Sequence, residues 1–187
     1  MPTPPATVRS FAAPRSWAPG VGIVLASAVF VLSAKTEVPF WPVPMTLETL
    51  AAIGLAGLFG ARLAGWAALL WLAEGAAGLP VFAGAAAGPA YFLGPTGGYL
   101  VGFVLAAFLV GSAADRGLRA RPLLLFAAMV GGVAVIDLCG VAWLAHLVGW
   151  PRSVQLGLLP FIPADLTKAA LAACVVAAAG RVGFRRG

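Results

Sequence analysis

Charge is scarce in this chain: Asp, Glu, Lys and Arg make up only 10% of its 187 residues, whereas 61% are hydrophobic. A soluble domain of this length cannot bury so much apolar side chain, which excludes a water-soluble globule and makes lipid the expected solvent. Cysteine is almost as rare. Cys139 and Cys174 lie in apolar stretches without C-x-x-C spacing, which excludes a disulfide framework and a redox or zinc pair. The lone His146 has no Cys or His at ligand spacing, so no metal site is expected. Also missing are a G-x-x-x-x-G-K-[ST] phosphate loop, a G-x-S-x-G elbow and an H-E-x-x-H helix. The chain is therefore not expected to hydrolyse ATP by itself, to be an enzyme or to carry a cofactor.

What is present is apolar and periodic in its interruptions. Six apolar runs, at about 18–35, 45–61, 62–79, 96–114, 122–149 and 163–180, predict an all-α polytopic membrane protein with a bundle of six transmembrane helices. The basic tails 1–17 and 181–187 flank a single membrane domain over 18–180. An alternative makes residues 20–34 a signal peptide cut after Ala34, but the uncharged run from Ser16 is long enough to span. Gly60-Ala61-Arg62 suits a tight helical hairpin. The fifth run is overlong and should tilt or project. The sixth helix should start near Pro163, because proline is tolerated at a helix's first position. No internal repeat supports an inverted-repeat transporter.

The net charge of +6 does not mark a nucleic-acid binder, because the twelve basic residues are scattered between apolar runs rather than gathered into a patch. They orient the chain instead. Arg9, Arg15, Arg62, Arg116, Arg119, Arg121, Arg181, Arg185 and Arg186 fall on one side of the six spans, and only Lys35 and Arg152 on the other. The positive-inside rule then places both termini in the cytoplasm of a multi-pass cell-membrane protein. Of the three outer loops, 80–95 carries no charge and is rich in Pro, Gly and aromatics. It is either an aromatic anchor at the lipid interface or the lid of an apolar pocket.

Ionisable groups inside spans are costly, so Glu48, Glu74, Asp137, Asp165 and Lys168 are the candidates for function. Alternating helix directions put all five in the outer half, where they could bind a small polar solute. The bland alternative is that Lys168 neutralises Asp137 or Asp165 while Glu48 and Glu74 face the outer interface. Asp165 and Lys168, three residues apart, share a helix face, and Asp165 lies near a helix N-terminus that favours a carboxylate. Gly94, Gly98 and Gly102 form a small-residue stripe suited to close helix packing, with Tyr99 as a pocket-wall candidate. Gly22 and Ala26 give the first span a similar face that could dock another membrane subunit.

Four ordered motifs carry a family resemblance: Val43-Pro-Met-Thr-Leu-Glu-Thr-Leu50, Gly78-Leu-Pro-Val-Phe-Ala-Gly84, Gly94-Pro-Thr-Gly-Gly-Tyr99 and Pro163-Ala-Asp-Leu-Thr-Lys168. The sequence resembles the BioY family, the biotin-binding S components of energy-coupling factor (ECF) transporters, from the first span to the sixth. The resemblance implies a six-helix bundle that captures biotin from outside and works with a transmembrane coupling subunit and cytoplasmic ATPase subunits. It also implies that Asp165 and Lys168 contact biotin and that the loop after Pro80 closes over it. With biotin as ligand, Asp165 would accept from a ureido N–H and Lys168 would donate, while Phe82, Tyr91 and Tyr99 wall the rings. Glu48 stands where many members carry Gln, and Ala85-Ala-Ala87 replaces a stretch often richer in Gly. A different vitamin, or a ligand-free membrane scaffold, are the competing readings. The small-residue faces would serve a homo-oligomer as well as energising partners.

Overall fold

The computed structural model describes residues 19–184, and the side chains of 20–181. Seven helices follow one another: α1 (Pro19–Lys35), α2 (Glu48–Phe59), α3 (Ala61–Ala76), α4 (Gly97–Asp115), α5 (Pro122–Val148), α6 (Trp150–Gly157) and α7 (Ile162–Phe184). Two short strands, β1 (Glu37–Val38) and β2 (Met45–Thr46), pair antiparallel between α1 and α2, with Glu37 opposite Thr46. Single 3-10 turns cover Pro89–Leu93 and Leu118–Ala120. The six expected spans are all helical, and α6 is a seventh, short helix between α5 and α7.

Helices α4, α5 and α7 are long and apolar enough to cross a bilayer, while α1 and α2 are shorter apolar helices. The helix α2 is the informative case. Its 12 residues rise about 18 Å, little more than half of a ~30 Å hydrocarbon core. The expected start at 45 fails because residues 45–46 are spent on the strand pair, and the Thr46 hydroxyl accepts the Glu48 N–H at 3.3 Å. The chain therefore carries non-helical backbone to the depth of Glu48. Such backbone is tolerated in a membrane where it lines a cavity.

Helix ends follow local chemistry. Gly60 alone separates α2 from α3; its φ of 88° is a conformation that side-chain-bearing residues resist, so the hairpin turns on one residue. Gly149, at φ 82°, does the same between α5 and α6, and so the overlong fifth run becomes a 27-residue helix followed by a turn. Pro122, Pro151 and Pro163 all occupy first turns. Helix α7 starts at Ile162, beside the expected Pro163, and runs past 180 to Phe184. The tail 1–17 and residues 185–187 lie outside the described residues.

In the bundle α1 packs on α3, α3 on α4, α2 on α4 and α7, and α5 on α4, α6 and α7. The expected glycine stripe is a packing device. A Cβ at Gly102 would lie 2.7 Å from Ile136 Cα, and one at Gly98 would strike the Cys139 carbonyl, so α4 and α5 touch backbone to backbone. An aromatic cluster fills the α1–α3–α4 side: Trp71 stacks on Phe30 at 5.2 Å and meets Phe82 edge-on at 5.3 Å. Phe30 and Ala34 are fully buried, so the first apolar run packs as a helix of the bundle. Outward-facing residues such as Leu32, Leu123 and Leu138 stay exposed, as lipid-facing side chains should.

Candidate functional site

One end of the bundle encloses a narrow cavity with about 30 Å³ of free space, room for a water or two, so a larger ligand enters only as the lining moves apart. Six segments line it: Val43, Pro44 and Thr46 before α2, Glu48 and Thr49 on α2, Tyr91 on the 3-10 turn, Thr96 at the start of α4 with Tyr99, Leu100 and Phe103 on it, Ile136 and Asp137 on α5, and Phe161, Asp165 and Lys168 around the start of α7. The walls are aromatic and aliphatic, with a few polar groups converging. That combination fixes the orientation of a ligand with a polar head and an apolar body.

Asp165 and Lys168 are brought together as their spacing predicts. Lys168 Nζ donates to Asp165 Oδ1 at 2.8 Å, and both side chains are buried. Asp165 lies in the first turn of α7, with its N–H bonded to the Phe161 carbonyl, so the helix terminus favours its negative charge. Both residues line the cavity, so the pair can present an acceptor and a donor to one ligand.

Glu48 is buried rather than exposed at an interface, which overturns half of the bland alternative. Its Oε2 accepts from the Thr46 hydroxyl at 2.7 Å, so part of the carboxylate is held by the loop before α2. Glu74 does not join the site. It accepts from Ser27 Oγ at 2.7 Å and ties α3 to α1. The fifth group, Asp137, does line the cavity.

Tyr99 presents its ring to the cavity, while its hydroxyl donates to the Gly157 carbonyl at 2.6 Å. Its ring lies 6.3 Å from that of Phe161. Tyr91 also lines the cavity, and burial pushes its phenol above the usual tyrosine range, which keeps it neutral and able to donate. Phe82 is placed differently from the expectation: it is fully buried behind Tyr91, stacked on it at 4.7 Å and 12°, and does not itself line the cavity. It positions the wall rather than forming it.

On α1, Ala26 is buried and Gly22 half-buried, and a Cβ at Gly22 would lie 3.2 Å from Leu63 Cδ1 on α3.

The loop 80–95 folds inward, and its carbonyls are held by two helices. Trp71 Nε1 donates to Val81 O at 3.1 Å, while Lys35 Nζ donates to Phe82 O at 2.8 Å and Gly84 O at 2.6 Å. The lid alternative fits this geometry, since Phe82 and Tyr91 carry the loop to the cavity wall. Sequence reasoning missed Lys35 in this role, and it also missed Thr46, Thr96, Phe103 and Phe161 as lining residues. A signal existed for two of them, because Thr46 and Thr96 lie inside the quoted motifs. Thr96 Oγ1 is buried, with the Tyr91 hydroxyl as its polar neighbour.

The BioY family model matches residues 9–184. A probable biotin transporter BioY from Pyrococcus horikoshii is 39% identical over 154 residues, covering 82% of this chain and 90% of the relative. The biotin transporter BioY of Rhizobium etli is 37% identical over 142 residues, covering 72% and 76%. Among solved structures, the S-component for biotin from an ECF-type ABC transporter, a crystal structure at 2.1 Å, superposes with a TM-score of 0.75 at 26% identity, covering 87% of this chain and 90% of that one. Together with the apolar helical bundle, these matches establish that the chain is a multi-pass membrane protein of the BioY family.

Proposed function

We propose that this chain captures biotin from the outer side of the cell membrane as the S component of an ECF-type transporter. The observation that carries the reading is the buried Asp165–Lys168 pair facing a cavity with aromatic walls. Biotin combines a fused apolar ring system with a ureido head that donates and accepts. In the bound state Asp165 accepts a ureido N–H, Lys168 donates, and Tyr91 and Tyr99 hold the rings, with Phe82 behind Tyr91. The names of the relatives support the same ligand.

The basic residues orient the bundle. Arg62, Arg116, Arg119, Arg121 and Arg181 lie at the end opposite the cavity, so the positive-inside rule turns the cavity outward and both termini to the cytoplasm. Energy comes from a transmembrane coupling subunit and cytoplasmic ATPases, because the sequence has no phosphate loop of its own.

Purified protein in lipid nanodiscs, titrated with biotin and a panel of other vitamins, tests the ligand. Saturable binding of biotin alone supports the reading, and preference for another vitamin overturns it. Uptake of labelled biotin by cells expressing the chain with and without the coupling subunits separates capture from transport.

A further inference from the structure

Polar groups around the cavity are paired within the chain, with one conspicuous exception among the acids. Asp165 holds Lys168, Glu48 holds Thr46, and the Tyr99 hydroxyl is tied to Gly157. Asp137 lines the same cavity and is 7% exposed, yet no donor within the described residues hydrogen-bonds its carboxylate. Its oxygens keep contact with the cavity, and an unpaired carboxylate lining a ligand cavity is an open acceptor that points to a donor arriving with the ligand.

The surroundings of Asp137 narrow the donor's chemistry. A side chain at Gly140, one turn further along α5, would run into the ring of Tyr99, so that ring lies against α5 next to Asp137. On α4, Gly102 packs on Ile136 and Gly98 on the Cys139 carbonyl, which fixes this stretch of α5 against the helix that carries Tyr99. Asp137 is therefore a rigidly placed acceptor beside a flat aromatic wall. Asp165 and Lys168 reach the same space from α7.

We infer that Asp137 is a second carboxylate contact for a cyclic urea, taking the N–H that Asp165 does not, so that Asp137, Lys168 and Asp165 read the sequence N–H, C=O, N–H. A cyclic urea presents two coplanar donors flanking one acceptor, and the cavity offers two carboxylates and one ammonium. Glu48 is the other acid in reach, but its carboxylate is already engaged by Thr46. The assignment rests on the biotin reading above and deepens it. It makes the urea, rather than the valerate chain, the head that is read by charge.

A chemical double-mutant cycle in nanodiscs tests it. Parent protein and Asp137→Leu are titrated with biotin and with two analogues, each methylated on one urea nitrogen. Asp137→Leu is expected to weaken biotin about ten- to hundred-fold, the range of a charged hydrogen bond. For one analogue the same substitution should cost less than about threefold, because the N–H that Asp137 serves is already gone. The other analogue should show the full loss.

An equal loss for biotin and both analogues, or no loss for biotin, overturns the assignment while leaving biotin as the ligand. Failure of the parent protein to bind biotin at all overturns the function proposed above. Asp137→Asn, which keeps the shape and a weaker acceptor, is run through the same cycle. It is expected to show the same coupling with smaller losses, so the test survives if the leucine variant does not fold.

Discussion

The two ends of this bundle use their few charges in opposite ways. At the end away from the cavity, Asp115 accepts the Ala61 N–H at 2.9 Å and the Arg119 guanidinium at 3.0 Å, while Arg119 Nε donates to the Gly57 carbonyl at 2.7 Å. Donors and acceptors close on one another there, and α4 is clamped to the α2–α3 hairpin. At the cavity end, Asp137 has no hydrogen-bond partner among the described residues, and the Asp165–Lys168 pair lines the cavity. One set of charges holds helices together, and on the proposed reading the other serves recognition. Substitutions at the two ends should therefore separate stability from binding.

The largest effect belongs to the Asp165–Lys168 pair. Removing either partner leaves the other as an uncompensated buried charge, a loss of about 3–5 kcal/mol in comparable pairs. Asp165→Ala and Lys168→Ala should each weaken biotin more than about a hundredfold in equilibrium titrations. If Asp165→Asn and Lys168→Ala both bound like the parent, the site assignment would be wrong.

Next in size are two glycines that do the same job at opposite ends. A Cβ at Gly102 would lie 2.7 Å from Ile136 Cα, and one at Gly111 would lie 2.7 Å from the Gly60 carbonyl carbon. Substituting valine at either forces helices apart and should lower stability by about 1–3 kcal/mol. Gly102→Val should also reduce biotin affinity, because Ile136 precedes Asp137 on the displaced helix. Gly111→Val should leave affinity intact in the fraction that folds. Thermal melts paired with titrations on the same samples separate the two.

How much of this was legible beforehand depends on whether the cause was local. The helices follow from apolar runs, each readable in its own segment, and Pro163 marked the start of α7 within one residue. The Asp165–Lys168 pair was legible because spacing along one helix decides it. The true length of α2 was not, since Met45 and Thr46 are as compatible with the apolar run as with a strand, and only pairing with Glu37–Val38 draws them out of the helix. Partners distant in the chain were invisible for the same reason. Nothing local tells that Glu74 turns to Ser27 while Asp137 turns to the cavity, or that Gly22 lies beside Leu63 of α3. Phe161 sits in a stretch that reads only as a proline interruption, although the fold makes it a wall.

A smaller effect is expected from the clamp at the closed end. Asp115 is partly exposed, so water weakens its ion pair with Arg119. Its bond to the Ala61 N–H at the start of α3 resembles a helix cap, and such caps are worth about 1 kcal/mol. Asp115→Ala should lower the melting temperature by about 3 °C with biotin affinity unchanged. A change in affinity of tenfold would mean that the two ends are coupled, and the contrast between them would have to be redrawn.

The smallest effect probes the boundary between the two uses of charge. Lys35 is exposed, and its ammonium does structural work at the recognition end by holding the carbonyls of Phe82 and Gly84. Those bonds keep Phe82 stacked on Tyr91 and so keep the loop against the cavity. Because water competes for an exposed ammonium, Lys35→Met should cost only about 0.5–1 kcal/mol. If the loop is a lid, that loss belongs to the closed state: biotin should dissociate about two- to fivefold faster with little change in association, and Lys35→Arg should restore the slow rate. Stopped-flow displacement of labelled biotin reads both rates. Equal changes in association and dissociation would make the loop a fixed wall, and Lys35 would then be grouped with Asp115 as a purely structural charge.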